Sequence, residues 1–101
     1  MRLGKVVGSV VATHKHDQLT GHKLLIVRQL KPGQDGSLIP AYGSSEFTVA
    51  IDLVGAGTGE TVLYTTGSSA RNVSSSTPDC PVDEAIVGIV DYTDFAPDLV
   101  R

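Results

Sequence analysis

The sequence predicts an all-β domain: a small, five-stranded, OB-like Greek-key barrel with at most one short helix. Three observations lead to this prediction. Apolar and polar residues alternate with a period of two in several short segments, which is the pattern of half-buried strands. Eleven glycines and five prolines among 101 residues indicate many turns and few long helices. The length fits one domain with a single core.

The first two strands are predicted to form a hairpin. The segment Leu3–Thr13 has a small or apolar residue at every even position. Two of these residues, Gly4 and Gly8, would let the strand bend sharply, as a barrel corner requires. The segment 14–22 is polar and contains turn-forming residues, and the strand pattern resumes over 22–30 in the run HKLLIVRQL.

The central part of the chain predicts a long loop followed by two more strands. Lys31–Ser45 carries three glycines and two prolines and is predicted to be one loop without regular structure. Phe47–Leu53 alternates cleanly between apolar and polar positions and is predicted as the third strand. A glycine-rich break separates it from a fourth strand over 61–66, the run TVLYTT.

The C-terminal part predicts the fifth strand and a tail. Ser68 is a candidate N-cap for one or two helical turns, and 72–82 is a loop rich in serine and proline. Ala85–Val90 is a continuous apolar run of strand length. Residues 1–91 are therefore predicted to form the domain, and residues 92–101 a C-terminal tail.

Two of the predicted strands are apolar on both faces. A barrel of this size buries only its inner face, so the outer face of these strands needs another cover. Because no amphipathic helix is available, a neighbouring subunit is the economical answer. The residues concerned are Leu24, Leu25, Ile26, Val27, Ile86, Val87, Ile89 and Val90.

The composition disfavours several classes of protein. Eight Lys and Arg against eleven Asp and Glu give a formal net charge of −3, whereas proteins that bind nucleic acid through its phosphates are normally basic. Cys80 is the only cysteine and cannot form an internal disulfide. No apolar run approaches the roughly 18 residues of a membrane-spanning helix, and the N-terminus lacks the pattern of a signal peptide. We therefore expect a soluble protein of the cytoplasm.

The run GAGTGE, residues 55–60, is superficially similar to a phosphate-binding loop. A Walker motif requires Lys and Ser or Thr after its last glycine, and a dinucleotide fingerprint requires a helix. Here Glu60 follows the last glycine and a predicted strand comes next. The run is therefore interpreted as a tight bend, in which Gly57 is expected to take a positive φ or to approach another backbone, and no cofactor is expected.

Two further groups of residues raise hypotheses about binding. His14, His16 and His22 suggest a metal site, but no cysteine pair or second histidine pair completes a tetrahedral set, so solvated hairpin residues are favoured. The run GSSAR, 67–71, could hold an anion, although a capped turn in which Arg71 pairs with an acidic group is favoured. Because no GxSxG motif accompanies the serines, no catalytic residue is predicted. No metal-binding residue is predicted either, because the set of ligands is incomplete.

Four segments together resemble one protein family. They are LGKVVGSVVAT at 3–13, L-x-G-x-KLLIVR-x-L at 19–30, AIDLVGAGTGETVLYTTGSSAR at 50–71 and PVDEAIVGIVD at 81–91. In this order they resemble the pentameric vertex proteins of bacterial microcompartments, the EutN/CcmL family. The resemblance spans residues 1–91.

The resemblance implies an architectural function. It implies an OB-related barrel assembled as a homopentameric ring, which closes a vertex of a polyhedral shell (of a carboxysome or a metabolosome) in the cytoplasm. The facets of such a shell are tiled by a different, hexameric shell protein, and the vertex subunit catalyses no reaction. Two short segments then become candidate subunit contacts: Gly55, Gly57, Gly59, Glu60, Gly67, Ser68, Ser69 and Arg71.

Two alternatives from other classes remain at this point. The first is an OB-type module that binds single-stranded nucleic acid. Such modules stack bases on aromatic residues in a basic groove, whereas here three Tyr, two Phe and no Trp are scattered among acidic residues. The second is a small subunit that binds a metabolite or anion through GSSAR. Both rank below the architectural function.

Overall fold

The computed structural model describes residues 1–12, 21–42, 46–67 and 83–100. These ranges contain the five predicted strands, four of them with ends shifted by one to three residues, together with one short strand and one 3₁₀ turn. In chain order the elements are β1 (Arg2–Val10), β2 (Lys23–Pro32), β3 (Leu38–Pro40), β4 (Phe47–Asp52), β5 (Thr61–Thr66), β6 (Glu84–Ile89) and the 3₁₀ turn (Pro97–Leu99).

Five of the strands close into a barrel. The sheet order is β1-β5-β6-β4-β2-β3, and an additional antiparallel pairing of β1 with β2 joins the two sides. All pairings are antiparallel except that of β4 with β6, which is parallel. The third and fifth barrel strands are thus the parallel pair, which is the arrangement of an OB-like Greek-key barrel. The predicted fold class is confirmed.

The core lies inside this barrel and is built from alternate residues of the strands. Among the described residues, Tyr64 is the largest fully buried side chain, with 1% of its surface exposed. Close packing around β1 depends on Gly4, because a Cβ atom there would collide with Cγ1 of Val27 and lie 2.9 Å from Cε1 of Tyr64. The core cluster comprises Val6, Leu25, Val27, Ala50, Ala56, Val62, Tyr64 and Ile86.

The two glycines of β1 have different environments. The pairing of β1 with β2 shifts register between Val6 and Gly8, which leaves Val7 as a bulged residue. A Cβ on Gly8 would meet only Cδ1 of Ile26, at the ordinary distance of 3.7 Å. The bend predicted for this strand therefore coincides with the bulge beside Gly8, while Gly4 is required for packing.

The prediction of one long loop over 31–45 is wrong in its first part. β2 continues to Pro32, and β3 pairs with its end, with Lys31 opposite Ile39. A turn centred on Asp35 joins the two strands, since the Asp35 carboxylate accepts hydrogen bonds from both the N–H and the hydroxyl of Ser37. Sequence patterns miss β3 because it is three residues long and ends in a proline.

The C-terminal segment lies against this β2–β3 hairpin. A Cβ on Gly36 would be 3.5 Å from Cγ of Pro97, so the 3₁₀ turn passes close to the tip of the hairpin. Val100 lines a cleft together with Pro32, Gly33 and Ile39. The predicted tail thus contains one short helical turn. The turn predicted at Ser68 lies outside the described residues.

Candidate subunit-contact surface

The glycine-rich loop after β4 begins with a carboxylate that organises its backbone. Oδ1 of Asp52 accepts hydrogen bonds from the N–H groups of Val54, Gly55 and Ala56, at 3.1, 3.1 and 3.2 Å. Hydrogen bonds to a charged acceptor are stronger than those between neutral groups. The last residue of the strand therefore holds the start of the loop in one conformation.

The glycines of the run GAGTGE differ in conformation. Gly55 and Gly59 have φ angles of +80° and +93°, which L side chains rarely adopt. Gly57 is not in the positive-φ region, and a Cβ there would meet Oε1 of Glu60 at an ordinary 3.5 Å. The expectation of a positive φ at Gly57 is therefore wrong, because the chain reverses at the glycines on either side of it.

Glu60 connects the end of the loop by hydrogen bonds to Gly57 within the loop and to β1. Its carboxylate accepts a hydrogen bond from the N–H of Gly57 at 2.7 Å, and its carbonyl accepts one from the N–H of Val6 at 2.9 Å. The N–H of Gly59 donates to the carbonyl of Val6 at 2.7 Å. Ala56 is fully buried in the core. The loop is thus a fixed part of the barrel wall and positions its exposed residues rigidly.

The predicted contact residues do not form one cluster. Gly55, Gly57, Gly59 and Glu60 precede β5, whereas Gly67 follows it and donates its N–H to the carbonyl of Asp83 at 2.7 Å. A strand of six residues spans about 20 Å, so the two groups lie at opposite ends of the barrel. The remaining candidates, Ser68, Ser69 and Arg71, lie outside the described residues.

The outside of the barrel carries an exposed apolar surface that spans three strands. Ile26 pairs with Val49 on β4 and with Gly8 on β1, and Phe47 lies two residues before Val49. Phe47, Val49 and Val7 are 50, 48 and 44% exposed, and Ile26 is half-buried. We call Val7, Ile26, Phe47 and Val49 the outer apolar face.

An arginine flanked by aromatic rings borders the outer apolar face. The Arg28 guanidinium lies 5.2 Å from the ring centre of Tyr42 and 5.0 Å from that of Phe47, within the range of cation–π attraction. Glu46 forms a long ion pair with it, at 3.8 Å. Tyr42 is 80% exposed. Sequence reasoning missed this group, because the alternation of β4 does not show which of its two faces is turned outward.

The two-faced strands have the predicted arrangement. On β2, Leu25 and Val27 are buried in the core while Leu24 and Ile26 are half-buried on the other face. On β6, Ile86 is fully buried and Ile89 is 37% exposed. Apolar residues thus remain on the outside of both strands, where a second protein surface could cover them.

Most residues of the metal-site and anion-site hypotheses lie outside the described ranges. Within the described ranges, no group of three or more His, Cys, Asp or Glu side chains could hold a metal ion. His22 is half-buried beside β2, while His14, His16 and Cys80 lie outside those ranges. In the same part of the chain, no helix is both long and apolar enough to span a membrane.

Tyr64, in the core, is a titratable group with a shifted pKa. Burial raises the pKa of the Tyr64 phenol above its usual 10.0, and the positive charge of the nearby Arg2 opposes this effect in part. The hydroxyl makes no hydrogen bond with the described residues. At the exposed hairpin turn, the hydrogen bonds from Ser37 lower the pKa of Asp35.

Comparison with known proteins identifies relatives of the whole barrel. The family model described as "Ethanolamine utilisation protein EutN/carboxysome" matches residues 1–91. The microcompartment shell vertex protein PduN of Salmonella typhimurium is 52% identical over 91 residues, which cover 90% of this chain and 96% of PduN. The carboxysome shell vertex protein CcmL of Thermosynechococcus vestitus is 44% identical over 91 residues, covering 90% and 84%.

A solved structure shares the same fold. The pentameric microcompartment shell protein GrpN from Rhodospirillum rubrum superposes with a TM-score of 0.75 at 42% sequence identity. The alignment covers 94% of this chain and 98% of GrpN. The similarity therefore extends over the barrel and is not confined to a single motif.

Proposed function

The chain belongs to the EutN/CcmL family, and on that premise we propose that it is a structural shell protein whose pentamers close the vertices of a polyhedral bacterial microcompartment. One observation carries the proposal: relatives that match nine-tenths of the chain at 44–52% identity are shell vertex proteins. The pentameric state of GrpN, which has the same fold, supports the number of subunits.

The role assigned to the pentamer follows from geometry. A sheet of hexagonal units alone stays flat or rolls into a tube, and it closes into a polyhedron only where five-fold units replace six-fold ones. We therefore propose hexameric facet shell proteins as the second partner of this chain. The place of action is the microcompartment shell, in the cytoplasm.

The barrel suits an architectural function. Its loop after β4 is fixed by Asp52 and Glu60, so the surface presented to a neighbour is rigid. Vertex subunits act by contact, and we propose that this chain catalyses no reaction. Residues 1–91, the extent of the family match, form the shell domain in this proposal, and residues 92–101 form an appended tail.

The proposed subunit contacts include both ends of β5. Gly55 and Gly59 present exposed backbone at one end and Gly67 does so at the other, where a neighbouring chain could approach closely because no side chain intervenes. The residues proposed are Gly55, Gly57, Gly59, Glu60, Gly67, Ser68, Ser69 and Arg71.

Native mass spectrometry of the purified chain tests the proposal directly. We expect a dominant species at five times the 10.6 kDa subunit mass. A stable monomer at all concentrations would contradict the proposal. A hexamer would still indicate assembly into a ring, but it would exclude the proposed role at a vertex.

A further inference from the structure

The turn between β2 and β3 contains a chemically reactive pair of residues, Asp35–Gly36. In an Asp–Gly sequence, the backbone nitrogen of the glycine can attack the side-chain carboxyl carbon of the aspartate, because glycine has no side chain to obstruct the approach. No other aspartate of the chain is followed by glycine. The residue types therefore single out this turn as the place where the main chain could rearrange.

The conformation of the turn requires the glycine of this pair. Gly36 has a φ angle of +89°, which L side chains rarely adopt. The N–H of Gly33 donates to the carbonyl of Ser37 at 2.7 Å, and the N–H of Gly36 donates to the carbonyl of Gly33 at 3.4 Å. Asp35, Gly36 and Ser37 are exposed, so water reaches all three. A side chain at position 36 would slow the attack, but it would also strain the turn.

Ser37 holds the carboxylate of the pair in one position. Oδ1 of Asp35 accepts hydrogen bonds from the Ser37 hydroxyl at 2.8 Å and from the Ser37 N–H at 3.1 Å. The same oxygen lies over Gly33, since a Cβ there would be 2.9 Å from it. These hydrogen bonds, with that of the hydroxyl first, lower the pKa of the Asp35 carboxyl. The group is therefore kept ionised and directed toward Gly33 and Ser37.

The rearrangement proceeds through a cyclic imide. The nitrogen of Gly36 forms a bond to Cγ of Asp35, and one carboxyl oxygen leaves as water with the proton of the acid and the proton of the N–H. Water then adds to one of the two imide carbonyls. Addition at the main-chain carbonyl breaks its bond to the Gly36 nitrogen and leaves isoaspartate, whereas addition at Cγ restores aspartate. No group is oxidised or reduced in either step.

From these contacts we infer that Asp35–Gly36 is a site of isoaspartate formation and that Ser37 is a positioning residue that slows this reaction in the folded protein. The ionised carboxylate must gain a proton before it can lose water, and its hydrogen bonds to Ser37 oppose both that step and its rotation toward the Gly36 nitrogen. The inference does not depend on the proposed pentamer, because it concerns a turn within one subunit.

The product would change the geometry of the hairpin. In isoaspartate the main chain runs through Cβ and Cγ, so the turn between Gly33 and Ser37 gains one backbone atom. The carboxylate that remains is attached to Cα and no longer has the position in which Ser37 binds it. Pro97 lies against Gly36, so the altered turn adjoins the C-terminal segment.

Incubation of the full chain at mildly acidic pH tests the inference. The variants are Ser37→Ala, which removes the hydroxyl donor, and Ser9→Ala as the matched control, since Ser9 is an exposed serine on β1. Each chain is incubated both folded and in concentrated urea, and far-UV circular dichroism establishes its state. Peptide mapping with electron-transfer fragmentation measures isoaspartate at position 35, because this method distinguishes isoaspartate from aspartate of the same mass.

We expect the folded parent to form isoaspartate at position 35 about tenfold more slowly than the parent in urea. Folded Ser37→Ala should react about threefold faster than the folded parent, because one of the two hydrogen bonds to Oδ1 is lost. The control should match the parent, and all three chains should agree in urea, where the turn is absent. Asp52 should form no isoaspartate, since Leu53 follows it.

Three results would overturn the inference. The first is the absence of isoaspartate at position 35 in urea, which would show that the pair is not reactive. The second is an equal rate for the folded parent and folded Ser37→Ala. The third is an equal rate for the folded and the urea-treated parent, a comparison that stands even if Ser37→Ala does not fold.

Discussion

Neighbouring glycines in one short run have different physical roles. Gly55 and Gly59 take positive φ angles, while Gly57 lies between them in an ordinary conformation. A Cβ added at Gly59 would meet none of the described residues within 4 Å apart from its chain neighbours, so any cost of substitution there comes from backbone strain and not from collision. Sequence alone treats these positions as equivalent because all three lack a side chain.

This difference gives a prediction for matched alanine variants. Gly59→Ala should reduce the free energy of unfolding by about 1–3 kcal/mol, because alanine is strained at a φ of +93°. Gly57→Ala should change it by no more than about 0.5 kcal/mol, since its Cβ has ordinary contacts. Urea denaturation of both variants measures the difference, and equal stabilities would contradict this account of the loop.

Tyr64 gives a prediction about pH. Its folded-state pKa is raised, so below pH 10 both folded and unfolded chains keep the phenol protonated and the residue adds no pH dependence. As the pH rises above 10, the unfolded chain loses the proton first, and the folded state is progressively destabilised. Tyr64→Phe should therefore weaken the decline in stability that begins as the pH rises above 10.

The matched control for this experiment is Tyr92→Phe, since Tyr92 is 79% exposed. At neutral pH, Tyr64→Phe should change stability by no more than about 1 kcal/mol, because it removes a buried hydroxyl that makes no hydrogen bond with the described residues. If the alkaline decline is the same in the parent and in both variants, Tyr64 is not its source.

At the scale of the elements, β1 depends on a glycine at one position and tolerates a side chain at another. An added Cβ at Gly4 would collide with Val27 and approach the carbonyl oxygen of Arg28 to 3.1 Å, whereas at Gly8 it would meet only Ile26. Gly4→Ala should therefore destabilise the fold by about 1–3 kcal/mol through overpacking. Gly8→Ala should stay within about 0.5 kcal/mol of the parent.

Thermal unfolding followed by circular dichroism measures both changes at β1. A Gly4→Ala variant that melts with the parent would show that Val27 and Tyr64 can move apart without loss of core contacts. A strongly destabilised Gly8→Ala variant would show that the bulge requires a glycine, although the packing around Gly8 leaves room for a side chain.

The sequence predicts an element well when its hydrophobic pattern is long and its ends carry turn residues. β5 is predicted at its observed boundaries because TVLYTT is bounded by Gly59 and Gly67. β3 could not be predicted, because Leu38–Pro40 is too short to show a period and lies among glycines and prolines. Its pairing depends on the extension of β2, which is a tertiary effect.

The candidate surface could be predicted only in part. The alternation in β4 places Phe47 and Val49 on one face, but it does not reveal that this face points outward. That assignment requires the register with β2, in which Ala50, opposite Leu25, faces the core. The cation–π contacts of Arg28 likewise depend on Tyr42, which lies in a different segment of the chain.

At the scale of the whole molecule, the proposed function predicts the phenotype of a deletion. Cells that lack this chain should form elongated or leaky shells, because hexagonal facets cannot close without five-fold units. The enclosed enzymes should keep their activities in broken-cell extracts, where no shell is needed. Electron microscopy of the compartments and enzyme assays of the extracts check the two expectations.

Complementation strengthens this test. The parent chain supplied in trans should restore closed compartments, whereas a variant that forms rings poorly should restore them less well. Loss of one specific enzymatic activity in extracts of the deletion strain would contradict an architectural function.

The closed barrel also bears on how such a protein stays soluble at high local concentration. Exposed strand edges offer unpaired N–H and C=O groups to other chains and thereby promote fibrillar aggregation. Here each barrel strand is paired with two other barrel strands, and within the described ranges the exposed edge is β3, three residues long and ended by Pro40. Subunits crowded together during shell growth therefore have little backbone available for strand addition, and contacts between side chains decide how they associate.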